Sequence, residues 1–249
     1  MSMENLAPRA ASERSFHNER MVHADFDKAP FTIAWEVTRA CAYACVHCRA
    51  DAMHTPDPNQ LTTEESLHLI DRLAEFGSPI LIFTGGDPMM RKDLHELIAY
   101  ATQKGLRCSL TPTATALPTT ERLEKVRDAG IRRIALSLDA PRPEIHDDFR
   151  QVKGSWQRTM DILHRAQSIG LSVQVNTTVS KHNVDILEEM IPFLQEVGTV
   201  QWSLFFLVPT GRAQAENMIS PEEHERVFNW LYDLSKNATF DIKSTAAPM

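Results

Sequence analysis

The stretch FTIAWEVTRACAYACVHC, residues 31–48, joins two signals that decide how the rest of the chain is read. An apolar, β-branched run of strand length, FTIAWEVT at 31–38, is followed two residues later by Cys41, Cys45 and Cys48. The chain has one other cysteine, Cys108. Three thiols gathered on the segment leaving a strand raise two questions: which sheet the strand belongs to, and what three thiols hold.

Working outward, the same kind of run recurs. PILIFTG (79–85), LRCSLTP (106–112), IRRIALSLDA (131–140), LSVQVNTTV (171–179) and TVQWSLFFLVP (199–209) read as further strands. Helical patterns separate and follow them at about 62–76, 91–104, 119–129, 155–169, 183–196 and 220–235. Thr62 and Glu65 have the spacing of a capping box at the first of these. Gly77, Gly105, Gly130, Gly170 and Gly198 each stand between a helical pattern and the next run, where a left-handed C-cap is needed. Six β-then-α units with near-continuous apolar strands predict an α/β fold with a parallel sheet covered by helices. Right-handed crossovers in chain order curl such a sheet into a partial (β/α)6 TIM-like barrel. This core is expected over 30–235. Before it comes a polar leader, 1–29, expected to be poorly ordered; after it comes a tail, 236–249, leading toward an absent C-terminal extension.

Ligands gather at the carboxyl ends of the strands in such sheets. The cysteines follow the first run and GGDP (85–88) the second. TPTATA follows the third, Ser137 and Asp139 the fourth, Asn176 and Thr177 the fifth, and VPTGR (208–212) the sixth. All six ends carry polar, glycine-rich or ligand-type residues, so one site on one rim is expected.

The bulk properties narrow the setting. A net charge of −7 and a pI near 5.8 argue against nucleic acid or an anionic membrane as partner. No apolar run reaches the length of a membrane span, and the N-terminus lacks the apolar core of a secretory signal. Four cysteines in 249 residues are too few for a disulfide scaffold, so a reducing cytoplasm is the expected compartment.

Three thiolates can fill three corners of a [4Fe–4S] cube and leave the fourth iron without a protein ligand. An open position is what catalytic metal sites keep. A zinc site from Cys41, Cys45, Cys48 and His47 is the first alternative, although neighbouring His47 and Cys48 would strain to share one tetrahedron. Packing of small hydrophobes at i, i+4, i+7 is the second.

With these residues in view, the chain resembles the radical S-adenosylmethionine (SAM) enzymes. CAYACVHC is similar to their CxxxCxΦC signature, with His47 in the Φ place. GGDP resembles their GGEP motif, and the six units match their partial barrel over about 30–235. WEVTRAC, SLDA and VPTGR look closest to the SPASM-type branch of peptide maturases and haem-precursor-modifying enzymes. The resemblance implies Cys41, Cys45 and Cys48 as ligands of a [4Fe–4S] cluster and S-adenosyl-L-methionine as cosubstrate. It implies a 5′-deoxyadenosyl radical that abstracts hydrogen from a peptide or tetrapyrrole-like small molecule. It also implies a reductant such as flavodoxin or ferredoxin. By the same likeness His47 lies against the adenine, and Gly85, Gly86, Asp87 and Pro88 bind the methionyl amine. Ser137 and Asn176 contact carboxylate or ribose, Arg150 pairs with the methionyl carboxylate, and Val208 to Gly211 lend backbone to the adenine. Asp139 lies near the same rim, and Arg212 is either structural or in touch with substrate. Asp87 replaces the usual Glu with a side chain one methylene shorter. Cys108, alternating with Leu106 and Leu110, reads as packing. A non-catalytic relative that binds cluster or cosubstrate is the remaining alternative, and auxiliary clusters find no cysteines here.

Overall fold

The computed structural model describes residues 25–245. Its strands are β1 Thr32–Thr38, β2 Ile80–Gly85, β3 Arg107–Leu110, β4 Arg133–Ser137, β5 Ser172–Val179, β6 Gln201–Phe206 and β7 Asp241–Thr245. All pair in parallel, in chain order, in one sheet that curls into a half-barrel. The six expected strands are present and a seventh is added. Residues 241–245, expected as part of a tail, pair with β6 from Gln201 opposite Asp241 to Phe205 opposite Thr245. DIKST carries no apolar run because an edge strand with one neighbour needs little apolar surface. Of the expected leader, residues 1–24 lie outside the described residues. The segment just after them turns back on itself, with Lys28 and Ala29 N–H donating to the Asp25 carbonyl.

The helices are α1 Thr63–Glu75, α2 Leu94–Gln103, α3 Thr120–Asp128, α4 Pro143–Arg150, α5 Ser155–Ser168, α6 Met190–Glu196 and α7 Pro221–Ser235. Thr62 and Ser220 close reciprocal capping boxes with Glu65 and Glu223, each worth about 1 kcal/mol. The expected helix over 183–196 is a 3₁₀ turn, Val184–Glu189, running into α6. The sequence reading missed α4: its eight residues bury His146 and Phe149, too few positions to show a period.

Strand side chains alternate. On β5, Val173, Val175, Thr177 and Val179 are buried under the helices, while Ser172, Gln174, Asn176 and Thr178 are partly exposed on the opposite, lumen face. The apolar half meets the helices in two clusters, one around β1–β4 and one around β5–β6 with α6 and α7. Trp202 is fully buried in the second, and its indole N–H donates to Thr177 Oγ1 at 2.9 Å. The lumen half is polar: Gln174 Nε2 donates to Asn176 Oδ1 at 2.8 Å and to Ser203 Oγ at 3.1 Å. Helices outside and polar strand faces inside place every strand end on the same rim.

Candidate active site

The cysteine loop is closed on itself before anything binds it. Met53 N–H donates to the Arg39 carbonyl at 2.8 Å and Cys41 N–H to the Met53 carbonyl at 2.7 Å, drawing residues 41–53 into a ring of chain beside the end of β1. The GGDP turn is fastened to the same strand exit. Gly86 N–H donates to the Thr38 carbonyl at 2.8 Å and Asp87 N–H to the Ala40 carbonyl at 2.6 Å. The approach is so close that a Cβ on Gly85 would lie 2.2 Å from the Thr38 carbonyl oxygen, and one on Gly86 2.4 Å from that of Ala40. The segment after β6 grips the loop from the far side. Arg212 donates from Nε to the Cys45 carbonyl at 3.0 Å and from Nη1 to the Ala52 carbonyl at 3.1 Å. Its own N–H donates to the Cys48 carbonyl at 3.0 Å. From below, the Tyr43 hydroxyl donates to the Ala114 carbonyl and accepts from Arg158 Nε at 3.0 Å.

These fastenings open onto one cavity of about 280 Å³. Cys41, Cys45, Cys48, His47, Gly85, Gly86, Ser137, Arg150 and Val208 all line it, so the structure brings together most of the residues singled out from the sequence. Asp87, Pro88, Asn176 and Gly211 do not line it. Asp87 is fully buried, and its carboxylate accepts from Met89 N–H, Thr113 N–H and Thr115 Oγ1 at 3.1, 3.4 and 2.9 Å. It holds the end of β3 against the turn instead of presenting a free carboxylate to a ligand. Pro88 opens a 3₁₀ turn behind Asp87. Asn176 accepts within the lumen from Gln174. Gly211, at φ 59°, passes so near Cys48 that a Cβ would lie 2.3 Å from its carbonyl oxygen.

The electrostatics follow from burial. Burial pushes the Cys41 and Cys45 thiols up, and the Arg150 guanidinium beside Cys45 works against it there. Loading metal on these sulfurs therefore displaces protons. His47 is brought down to about 3, first by burial and then by Arg150, so its imidazole is neutral. One face of its ring stacks on Phe149, with centroids 4.0 Å apart and planes 3° from parallel. Burial raises Asp87 as well. Cys108, whose thiol burial lifts to about 11, packs on β3 away from the cavity, as expected.

The donor set suits a cluster. Three cysteine side chains from one loop face one cavity, and two buried polar atoms beside it, His47 Nδ1 and Arg212 Nη2, have no hydrogen-bond partner. Backbone glycines form the opposite wall. No group of three or more His, Cys, Asp or Glu side chains among the described residues converges on the place of a single ion. One zinc with bonds of about 2.3 Å to sulfur demands convergent ligands, whereas an iron–sulfur cube spreads its three cysteines over separate irons.

Sequence reasoning missed Tyr43 and Arg158, which carry no motif and act through distant contacts, and did not foresee that Arg150 pairs with Asp139. The structure decides Arg212 as the clamp of the cysteine loop. Arg212→Ala should lower stability by about 2 kcal/mol through the loss of these charge-assisted bonds. It should also shorten retention of iron at 25 °C, and thermal denaturation with timed iron release measures both. Unchanged iron release would show that the clamp is idle.

The same architecture is present in known proteins. A structure of Streptococcus suis SuiB bound to its precursor peptide SuiA superposes with a TM-score of 0.74 at 14% identity, over 98% of this chain and 57% of that one. Among curated relatives, AdoMet-dependent heme synthase of Oleidesulfovibrio alaskensis is 45% identical over 218 residues, covering 87% of this chain and 56% of the relative. Fe-coproporphyrin III synthase of Methanosarcina barkeri is 39% identical over 186 residues, 75% of this chain and 46% of the relative. The chain thus spans about half the length of these relatives. The family model described as the Radical SAM superfamily matches residues 35–194, which takes in the second half of β1, the cysteine loop, the GGDP turn and β2 to β5. With its fold, its cysteine signature and this match in agreement, the chain belongs to the radical SAM superfamily.

Proposed function

We propose that this chain is the catalytic core of an enzyme that abstracts hydrogen from a tetrapyrrole-like substrate. The observation that carries the reading is the convergence of Cys41, Cys45 and Cys48 with the Gly85–Gly86 wall on one cavity at the rim of the half-barrel. Radical SAM enzymes use a [4Fe–4S] cluster and S-adenosylmethionine. Cys41, Cys45 and Cys48 would hold the cluster, whose electron, when it is bound and reduced, splits S-adenosylmethionine and yields the radical that takes the substrate's hydrogen.

The chain's own residues supply position and exclusion of water. Gly85 and Gly86 bring backbone within reach of the methionyl amine, with Asp87 and Pro88 fixing the turn that presents them. Ser137 stands on the lumen face of β4, opposite its register partner Asn176, and lines the cavity, where its hydroxyl can meet ribose or carboxylate. Val208 and the turn through Gly211 shape the far wall for the adenine, and neutral His47 offers an uncharged ring beside it. Phe205, Phe206, Leu207 and Ala52 line the same cavity and keep it apolar around the reacting atoms.

Tetrapyrrole is favoured over peptide because relatives at 39% and 45% identity bear tetrapyrrole-synthesis names. No helix among the described residues is long and apolar enough to cross a membrane. A flavodoxin or ferredoxin in the cytoplasm is the proposed electron source. Anaerobically reconstituted protein should hold four irons and form 5′-deoxyadenosine with dithionite, and iron coproporphyrin III should raise that rate at least about 10-fold by positioning a hydrogen donor. A full cluster without 5′-deoxyadenosine would overturn catalysis. Turnover indifferent to iron coproporphyrin III would overturn the substrate.

A further inference from the structure

A charged pair, Asp139 and Arg150, lies beside the cavity that Cys45 lines. Asp139 leaves the end of β4 with 1% of its side chain exposed, and Arg150 closes α4 with 14% exposed. Arg150 Nε donates to Asp139 Oδ2 at 2.7 Å. The other carboxylate oxygen accepts from Thr178 N–H at 3.0 Å, and the Asp139 carbonyl accepts from Asn183 Nδ2 at 2.8 Å. His146 is also buried nearby, its Nδ1 3.5 Å from Oδ2. That nitrogen accepts the Asp139 N–H at 3.1 Å, so it carries no proton to offer the carboxylate. Burial disfavours the charge on Asp139, but Arg150 outweighs it and holds the carboxyl well below its usual range. Arg150 thus pairs with the Asp139 carboxylate and lines the same cavity as Cys45.

Apolar residues of similar volume often replace a buried ion pair without loss of stability. A pair here, with one member lining the cavity of the cysteine loop, points to an electrostatic task. The potential of an iron–sulfur cluster depends on net charge and on hydrogen bonds to its sulfurs. Reduction adds one negative charge. A guanidinium in the wall beside the ligand sulfurs stabilises that charge and raises the potential, while a carboxylate held beside the guanidinium offsets part of the rise.

We propose that Arg150 and Asp139 are a charged pair that sets the reduction potential of the cluster held at this cavity, Arg150 raising it and Asp139 limiting the rise. The inference rests on Cys45 being a cluster ligand. It assigns Arg150 a task performed before S-adenosylmethionine arrives, separate from pairing with the methionyl carboxylate.

The test is a redox titration of reconstituted protein followed by the electron paramagnetic resonance signal of the reduced cluster, with no S-adenosylmethionine present. Iron and sulfide are counted in every sample. Arg150→Gln should move the midpoint to a more negative value, and Asp139→Asn, which keeps the size and the acceptor for Thr178 N–H, to a less negative one. Arg150→Lys, which keeps the charge, should recover most of the wild-type midpoint. Opposite signs cannot come from a loosened fold, which would move both variants alike. Unchanged midpoints, or shifts of one sign, would overturn the proposal. If Arg150→Gln retains no cluster, Asp139→Asn decides alone: a less negative midpoint supports the pair's role, and any other result overturns it. Wild-type protein that never holds four irons would instead overturn the reading of Cys45 as a ligand.

Discussion

Cys45→Ala is expected to reduce iron in anaerobically reconstituted protein to background and to abolish 5′-deoxyadenosine formation. Cys41 and Cys48 remain, but two thiolates cannot hold a cube that depends on three, and the neighbouring carboxylates of Asp87 and Asp139 are committed elsewhere by the bonds described above. The fold should survive, because Cys45 sits in a small satellite cluster with Cys41 and Tyr43 and not in either main core. Its loop is fastened by backbone and by Arg212, neither of which needs the sulfur. Cys108→Ala is the control. That thiol is buried in the main cluster and meets Thr102, so its removal should cost stability of about 1 kcal/mol while iron content stays at wild type. Iron analysis with circular dichroism of both variants separates loss of ligand from loss of fold. Full iron in the Cys45 variant would remove the basis for the proposed chemistry.

Gly86→Ala should be nearly as damaging without touching any ligand. Its Cβ would lie 2.4 Å from the Ala40 carbonyl oxygen and 2.7 Å from that of Arg39, and both are backbone atoms with nowhere to go. The turn and the cysteine loop must part, which weakens the bonds from Gly86 N–H to Thr38 and Asp87 N–H to Ala40. A loss of about 2–4 kcal/mol is expected from such a forced backbone shift. Displacement of the wall by about an ångström should lower turnover about 100-fold. Gly105→Ala makes the comparison, since that glycine has a positive φ, 86°, which Gly86 does not, and nothing within 4 Å of a Cβ. It should cost about 1 kcal/mol and leave turnover unchanged. Equal effects of the two substitutions would mean that the close approach at Gly86 costs no more than backbone strain at an open site.

The strands with apolar runs were readable because helices cover their outer faces and demand apolar residues there. DIKST on β7 was not, because it is short, sits on the open edge and has one neighbour. PEIHDDFR as α4 was hidden for a related reason: with two buried side chains, its period is shorter than the noise of composition. In the site, CAYACVHC and GGDP were legible since spacing and glycine content are local properties. Asp87 shows the opposite case. Its place in a motif marked it as a ligand-facing group, yet the structure spends its oxygens on Met89, Thr113 and Thr115.

By itself, then, the sequence determined the parallel α/β plan, the rim on which the site lies and the three thiols at its centre. Periodicity, glycine caps and cysteine spacing act over a few residues and survive being read along a line. Only the tertiary structure decided the partners of Arg212, Arg158, Asp139 and Arg150, because each meets a group brought near by folding: Cys45 and Ala52 for Arg212, Tyr43 for Arg158, and each other for Asp139 and Arg150. Such contacts depend on side-chain reach and burial between distant segments, and no local pattern encodes them.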